Sequence, residues 1–369
     1  MGKPQQTNPN SMTQDHDQEQ EVSKLAIRLT NAVVLPMVLK SALELNLLDT
    51  ISAAGDGAFL SPSELASQLS TKNPDAAILL DRMLRLLASY DILKCSLRTG
   101  EDGGAERSYG AGPLCKFFAR NQDGGSVADM FLFHHDKVMI ESWYHLNDAV
   151  LEGGIPFNRA HGMSLFEYPG LDERFNRLLN QAMSSFSTFT LKKLLDVYKG
   201  FDGTKVLVDV GGNSGITLRA ITSMYPGIKG INFDLPHVLA DAPTYSGVEH
   251  LEGDMFVSIP KGDTIFMKNI FHDWSDEHCV TILKNCWEAL PYNGKVVNVE
   301  CHLPVVPENN VTSHIAFSID LYMFALTPGG KERTQEEFEA LAVKSGFDYE
   351  VICSAYGFRV AEFHKKANA

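Results

Sequence analysis

The stretch KVLVDVGGNSGITLRAITSMYP, residues 205–226, decides the fold. A short β-branched run at 206–210 leads through a glycine-rich turn, 211–215, into a helical pattern from Ile216. From Gly200 onward, strand-like runs such as GINFDL, TIFMKNI and KVVNVECHL alternate with helical segments. This alternation predicts a parallel sheet with helices on both faces. Residues 200–369 are therefore predicted to form a doubly wound α/β domain.

The turn after the first strand is the predicted ligand site, because ligands of such sheets bind beyond the carboxyl ends of the strands. Asp234 ends the second strand about 20 residues after this turn, where an acidic side chain can accept hydrogen bonds from ribose hydroxyls. Asp254 follows the next strand. A dinucleotide-binding motif requires G-x-G-x-x-G, but Asn213 stands at its second glycine, which disfavours a nicotinamide-dependent oxidoreductase.

The N-terminal segment is polar and then strongly apolar. Residues 1–20 lack hydrophobic periodicity and predict a flexible tail. Residues 21–51 carry many apolar positions at helical spacing, which predicts two helices interrupted around Pro36. They are more apolar than one core-facing stripe needs, so a second buried face against another copy of the chain, a homodimer, is expected.

A winged-helix outline follows. Ser61 can cap a helix that runs to about residue 69, a second helix is predicted at 75–89, and two short strands around a glycine-rich tip come next. This outline fits either DNA recognition or a packing and dimerisation module. The second helix offers only Arg82 and Arg85 as basic residues, which favours dimerisation. Residues 21–125 are therefore assigned to a mainly helical, winged-helix-like dimerisation domain, and 126–199 to a helical connector.

The composition excludes several classes of protein. The 369 residues contain 46 acidic and 32 basic residues, a formal charge of −14, which argues against a nonspecific nucleic-acid binder. The apolar runs are far shorter than the about 20 residues of a membrane span, and no secretion or transit signal is visible, so a cytoplasmic location is expected. The six cysteines form no CxxC pair and are expected to be reduced thiols.

Five motifs match a known family: VDVGGNSG at 208–215, GINFDLPHV at 230–238, GDMFVSIPKGD at 253–263, MKNIFHDWSDEHC at 267–279 and TPGGKERT at 327–334. Together they resemble plant S-adenosylmethionine-dependent phenolic O-methyltransferases of the caffeic acid type. The resemblance covers nearly the whole chain after the tail. It implies a Rossmann-like methyltransferase domain, S-adenosylmethionine as cofactor, a phenolic acceptor and a homodimer.

The resemblance also implies a set of cofactor residues. Asp234 would bind the ribose hydroxyls, and Asp254 and Met255 would surround the adenine. The whole set is Ser187, Gly211, Asp234, Leu235, Asp254, Met255, Phe256, Lys268 and Trp274. The turn departs from the family pattern, because Asn213 and Ser214 replace a glycine and a threonine. Ser214 keeps a hydroxyl, whereas Asn213 would carry strain if its φ is positive.

Methyl transfer to a phenol requires a base that can take the phenolic proton. His272 is the predicted base, and by resemblance Glu300 and Glu332 flank its imidazole and orient it. A metal site is the competing interpretation of this segment, but His272 and His278 are six residues apart, whereas one helical face needs three or four. We therefore expect no metal. His278 is assigned to the following helix, which Asp273 or Ser275 can cap.

The resemblance places one further set of residues around the acceptor: Phe133, His134, Ile140, Phe166, Phe175, Met183, Phe186, Asp273, Tyr322, Met323 and Thr327. Three departures from caffeic acid enzymes are informative. Phe133-His134 replaces their Met-Asn, Phe186 replaces a histidine, and Leu326-Thr327 replaces His-Asn. Because polar partners for a charged tail are lost, we expect a neutral phenol, such as a coumarin, phenylpropene, flavonoid or alkaloid, to be preferred over caffeic acid.

Overall fold

The computed structural model describes residues 9–99, 103–120, 125–240 and 242–366, with side chains from residue 18 onward. The chain divides into two compact units after Arg120. This division lies near the boundary predicted at residue 125. The helices at 126–199, predicted as a connector, fall inside the second unit.

The first unit is mainly helical. Its described residues form α1 Pro9–Thr30, α2 Val34–Glu44, α3 Leu47–Ala53, α4 Pro62–Ser67, α5 Ala76–Ala88 and α6 Cys115–Phe118, with the antiparallel strands β1 Leu93–Thr99 and β2 Ala105–Ala111. Because α1 begins at Pro9, the prediction of a flexible tail is wrong for residues 9–20, and residues 1–8 lie outside the described residues. Good helix formers such as Gln and Glu extend this helix toward its N-terminus over residues whose sequence has no apolar stripe.

Two local predictions in this unit can be compared with the structure. The chain is interrupted at residues 31–33, and Pro36 lies in the first turn of α2, where its missing N–H has no helical partner to lose. The break between the two helices therefore lies before Pro36 and not at it. Ser61 does cap α4: its side chain accepts from the backbone of Glu64, and the Glu64 carboxylate accepts from the backbone of Ser61.

The second unit contains a seven-stranded sheet and its covering helices. The strands are β3 Val206–Val210, β4 Lys229–Asp234, β5 Val248–Glu252, β6 Thr264–Lys268, β7 Lys295–Cys301, β8 Phe347–Ala355 and β9 Phe358–Lys365. The helices are α7 Ala128–His134, α8 Lys137–Trp143, α9 Leu146–Glu152, α10 Pro156–His161, α11 Glu173–Val197, α12 Ile216–Met224, α13 Pro236–Leu239, α14 Asp276–Ala289, α15 Val311–Leu326 and α16 Gln335–Ser345, with 3-10 turns at Tyr168–Gly170 and Phe271–Asp273.

The sheet order is β5-β4-β3-β6-β7-β9-β8. The first five strands of this order are parallel, but β9 is antiparallel to both β7 and β8, so the predicted all-parallel sheet is wrong at this edge. The cause is a two-residue hairpin turn in which Tyr356 and Gly357 both have positive φ, a geometry that reverses the chain. The chain order reverses beside β3, which places a crevice at the carboxyl ends of β3 and β6.

Alternate residues of β3 enter two different apolar clusters. Val208 packs in one cluster with residues of α14 and α16, whereas Leu207 packs in the other with residues of α11 and α12. Both faces of the parallel strands are therefore covered, as the alternation of strands and helices predicts.

The helices were compared with the length and hydropathy of a membrane span. No single helix in the described part of the chain is long and apolar enough to cross a membrane, and the bent pair Gln18–Thr30 and Val34–Glu44 meets that length and composition only jointly. All six cysteines are free thiols. Cys95 is exposed, Cys353 is partly buried and the other four are buried.

Candidate active site

The glycine-rich turn joins β3 to α12 at the crevice. Gly211 and Gly215 have φ values of 69° and 77°, which favour glycine. A Cβ added to Gly211 would lie 2.4 Å from the Cδ1 atom of Ile270. The first glycine therefore lets the turn approach the segment that follows β6.

Asn213 has a φ of 53°, so the expected strained conformation is present. Hydrogen bonds hold it there. Its side-chain Oδ1 accepts from the backbone N–H of Ser214 at 2.6 Å, and its own N–H donates to Oδ2 of Asp234 at 2.9 Å. Its carbonyl accepts from Asn232 at 2.8 Å. Asparagine is among the residues that tolerate this region best, and its short side chain bonds locally here.

The other predicted cofactor residues are held by short local contacts. Asp234 also accepts from the backbone of Leu235 at 2.7 Å, and burial raises the pKa of its carboxyl. Asp254 accepts from the N–H of Phe256 at 2.8 Å. The rings of Phe256 and Trp274 meet edge to face at 4.7 Å.

Three further cofactor candidates lie on or after elements of the second unit. Met255 accepts a hydrogen bond from Asn285 at 2.7 Å through its carbonyl. Lys268 ends β6, and Ser187 is a partly buried residue of α11. The structure thus brings the candidates that follow β3 to β6 to one edge of the sheet.

Asp209 is a functional candidate that the sequence analysis missed. It is 3% exposed on β3, and burial raises the pKa of its carboxyl to about 7, an effect that the charge of Lys268 opposes. Burial likewise lowers the pKa of Lys268 to about 8. Its position directly before the glycine-rich turn is the signal that could have identified it.

Three buried acceptor atoms at the same edge have no hydrogen-bond partner among the described residues: Oδ2 of Asp209, Oδ1 of Asn232 and Oδ1 of Asn269. A Cβ added to Gly212 would lie 2.0 Å from this Asn232 oxygen. Buried acceptors of this kind are costly unless a donor reaches them. The edge is therefore suited to a ligand that is rich in hydrogen-bond donors.

His272 lies in the 3-10 turn Phe271–Asp273 and is 8% exposed. Its Nδ1 is 2.7 Å from Oε1 of Glu332. Because an ionised carboxylate can only accept, Nδ1 carries the proton and Nε2 is left as the basic nitrogen. Asp273 lies 3.8 Å from Nε2 through its Oδ1 atom.

The pKa of His272 reflects opposing influences. Burial lowers it, but the charge of Asp273 and the hydrogen bond to Glu332 outweigh burial and raise the pKa to about 9. The imidazole is therefore charged at neutral pH and becomes a free base only as the pH approaches 9.

Glu300 contacts the backbone of the turn that carries His272. Its Oε1 atom accepts from the backbone N–H groups of Ile270 at 3.0 Å, Phe271 at 2.5 Å and His272 at 3.3 Å. Burial raises the pKa of this carboxyl to about 7. Glu300 thus binds the backbone of the turn, whereas Glu332 is hydrogen-bonded to the ring itself, and the prediction that Glu300 flanks and orients the imidazole stays a prediction.

His278 lies outside this cluster. Ser275 caps α14 by accepting from the backbone N–H of His278, and the His278 ring contacts the same hydroxyl at 3.0 Å. This agrees with its assignment to the helix and identifies Ser275, not Asp273, as the cap. The described ranges hold no group of three or more His, Cys, Asp or Glu arranged to bind a metal ion.

The predicted acceptor residues fall into distinct environments. Phe133 and Phe175 are buried in one apolar cluster, with ring centroids 5.6 Å apart. His134 stacks on Tyr322 at 4.0 Å, and burial lowers the pKa of His134 to about 3. Phe186 packs instead in a second cluster, 5.9 Å from Phe358.

The other acceptor candidates are more exposed or internally bonded. Thr327 donates its hydroxyl proton to the carbonyl of Met323 at 2.8 Å. Phe166 is 58% exposed and Met183 is 37% exposed. Ile140 is partly buried in the middle of α8.

A Rossmann-like sheet with this glycine turn, its acidic strand ends and a buried His–Glu pair defines a methyltransferase-like enzyme. The O-methyltransferase domain model matches residues 143–348, more than half of the chain, and an O-methyltransferase dimerisation domain matches residues 27–121. The chain belongs to the O-methyltransferase family. It is an S-adenosylmethionine-dependent O-methyltransferase.

Curated relatives agree with this assignment, and a solved structure shares the fold. The chain is 58% identical to caffeic acid 3-O-methyltransferase of Prunus dulcis, over 98% of this chain and 99% of the relative. It is 59% identical to O-methyltransferase 13 of Lophophora williamsii, over 95% and 97%. Human N-acetylserotonin methyltransferase, solved with S-adenosylmethionine, shares the fold with a TM-score of 0.78, at 20% identity and complete coverage of both chains.

Proposed function

We propose that this chain transfers the methyl group of S-adenosylmethionine to the hydroxyl of a neutral plant phenol, with His272 as the general base and without a metal ion. The observation that carries the proposal is the buried contact of 2.7 Å between His272 and Glu332, at the edge of the sheet where the cofactor candidates lie. The relatives named caffeic acid 3-O-methyltransferase support a phenolic acceptor.

The chemistry needs a phenolate oxygen in line with an electrophilic methyl carbon, which S-adenosylmethionine supplies when bound. A free phenol has a pKa of about 10, so it must lose its proton as the new C–O bond forms. Nε2 of His272 accepts that proton. Glu332 holds the opposite ring nitrogen and stabilises the imidazolium that results.

The residues at the strand ends fit this cofactor. S-adenosylmethionine offers donors on its ribose, adenine and ammonium groups, and the unpartnered acceptors of Asp209, Asn232 and Asn269 lie at the same edge. In the proposed arrangement Asp234 binds the ribose, and Asp254 and Met255 line the adenine pocket. Gly211, Leu235, Phe256, Lys268, Trp274 and Ser187 complete the site.

The acceptor preference rests on the residues that differ from the caffeic acid pattern. The low pKa of about 3 keeps His134 uncharged, so it offers a neutral hydrogen bond and no cation for a carboxylate. The packing of Phe186 among aromatic rings removes a further polar partner. A neutral phenol avoids the cost of desolvating a charged tail beside these groups.

The proposed assembly is a homodimer located in the cytoplasm. Seven large apolar residues of the N-terminal helices and their junction are exposed in the single chain: Val22, Leu25, Ile27, Leu29, Val33, Val34 and Met37. Burying such a surface favours association. One chain has a mass of 40.7 kDa, and light scattering should give twice this value.

The decisive experiment offers the purified chain S-adenosylmethionine and a panel of phenols, and follows methylated products by mass spectrometry. We expect turnover that chelators leave unchanged, and fastest turnover with neutral phenols. His272→Gln should abolish turnover, while calorimetry shows the affinity for S-adenosylhomocysteine nearly intact. His278→Gln, in the same segment, is the matched control and should remain active.

Three results would contradict parts of this proposal. Faster turnover of caffeate than of any neutral phenol would refute the acceptor preference. Activity that depends on a divalent ion would refute metal independence. A His272→Gln variant that loses turnover and cofactor affinity together would point to a structural role for the histidine.

A further inference from the structure

Arg333 is a completely buried arginine that contacts the turn carrying His272. It is 0% exposed, and it is among the largest fully buried side chains of the described residues. One terminal nitrogen, Nη1, donates to the carbonyl of Phe271 at 2.8 Å, and the other, Nη2, donates to the carbonyl of Trp274 at 2.7 Å. These two carbonyls lie on either side of His272 in the sequence.

The charge of this guanidinium is compensated by Asp276. Its Oδ1 atom accepts a hydrogen bond from Nε of Arg333 at 2.9 Å and lies 2.9 Å from Nη2 in an ion pair. A buried cation without such a partner would be strongly unfavourable. Because Asp276 begins α14, the same carboxylate also fixes the guanidinium relative to this helix.

Glu300 binds the N–H groups of the turn, whereas Arg333 binds its carbonyl oxygens. The Glu300 carboxylate accepts from three consecutive N–H groups, those of residues 270–272. Both side chains are fully buried. Charge-assisted hydrogen bonds to both kinds of backbone group leave the turn little freedom to move.

The partner of the His272 ring and the clamp on its backbone are consecutive residues, Glu332 and Arg333. Their segment is anchored in two places: the N–H of Glu332 donates to Asp320 at 2.9 Å, and the carbonyl of Arg333 accepts from Leu303 at 2.9 Å. The approach is close, since a Cβ added to Gly330 would lie 2.4 Å from the carbonyl oxygen of His272. One short segment therefore sets both the ring and the backbone of His272.

We infer that Arg333 is a positioning residue for methyl transfer, which holds the Phe271–Trp274 backbone so that the His272 ring stays on Glu332 and Nε2 stays directed at the acceptor. This inference rests on the proposed role of His272 as the base. It assigns to Arg333 a function in addition to filling the core.

The test uses two variants of the full chain and one control. Arg333→Lys keeps the charge but cannot reach two carbonyls and a carboxylate at once. Asp276→Asn removes the carboxylate charge that holds the guanidinium of Arg333. It is the milder change, because the Asp276 side chain is 38% exposed. Arg177→Lys is the matched control, since Arg177 is 67% exposed and pairs with Glu173 on the surface of α11.

Three measurements separate positioning from general stability: steady-state kinetics for kcat and KM, calorimetry for the affinity for S-adenosylhomocysteine, and NMR of the labelled ring nitrogens for the pKa of His272. The signals are assigned by their loss in His272→Gln. We expect Arg333→Lys to lower kcat at least tenfold and Asp276→Asn three- to tenfold, with cofactor affinity within twofold. In both, the His272 pKa should fall, because contact with Glu332 loosens. Arg177→Lys should match the parent chain.

The inference is overturned if either folded variant keeps the parental kcat, or if it loses activity while the His272 pKa stays unchanged. If Arg333→Lys does not fold, the result for Asp276→Asn decides. A separate outcome concerns the base itself: an active His272→Gln variant would refute the proposed base, while a displaced His272 pKa in Arg333→Lys would still show that Arg333 positions the ring.

Discussion

Nδ1 of His272 lies 2.7 Å from Oε1 of Glu332, although the two residues are 60 positions apart in the sequence. Both side chains are buried. The carboxylate stabilises the charged form of the imidazole and fixes the tautomer of its neutral form, in which Nε2 is available for a proton.

Glu332→Gln should keep the shape of the side chain but remove its charge. The imidazolium loses a stabilising partner, so we expect the limiting kcat at high pH, where the imidazole is uncharged, to fall by about 10²-fold and the pKa of His272 to move down from about 9. Steady-state rates across a pH series measure both effects. Glu336→Gln, at an exposed position of α16, is the control. Unchanged rates in Glu332→Gln would contradict the assigned role.

The rate of the parent enzyme should rise with pH. A raised pKa means that His272 is protonated below about 9 and neutral above it. Only the neutral form can accept a proton, so roughly one enzyme in a hundred is competent at pH 7. We expect kcat/KM to increase about tenfold per pH unit from 7 and to level off near 9.

The rise of kcat/KM with pH should come from His272 and not from ionisation of the phenol. Two phenols of different pKa should therefore give the same midpoint if His272 is the titrating group. A midpoint that follows the pKa of the phenol would instead assign the limb to the substrate.

The double variant Phe133→Met, His134→Asn should shift acceptor preference toward caffeate. It restores a polar amide in place of an imidazole that stacks on Tyr322. One regained hydrogen bond is worth about 1 kcal/mol, so the ratio of kcat/KM for caffeate over a neutral phenol should rise about five- to tenfold. A competition assay with both acceptors measures this ratio directly. No change in the ratio would exclude these two positions as determinants.

Asn213→Ala should destabilise the chain, whereas Asn213→Gly should be nearly neutral. The φ of 53° at this position is unfavourable for alanine by about 1–2 kcal/mol, and alanine also loses the bond to the backbone of Ser214. Urea unfolding measures the difference. An alanine variant as stable as the parent would show that the turn relaxes to another conformation.

The fold was predictable where the signal is local. The β-branched run 206–210, the glycine turn and the helical pattern from Ile216 identify the first strand-turn-helix unit without tertiary information. The cap at Ser61 is local too, because its partner is three residues away. The antiparallel edge was missed because Tyr356 is an unusual residue for a positive φ, so the reversing turn has only one glycine as a signal.

The sequence by itself determined the order of strands and helices, the glycine turn and the acidic strand ends, and it led to the proposal of His272 as base, since each follows from residue type and short spacing. Only the tertiary structure decided that Glu332 binds the imidazole, that Glu300 binds the backbone, and that Arg333 is buried against the same turn. The physical reason is that these contacts join residues 28 to 62 positions apart. Their geometry is set by how the ends of β6 and β7 and the segment before α16 come together.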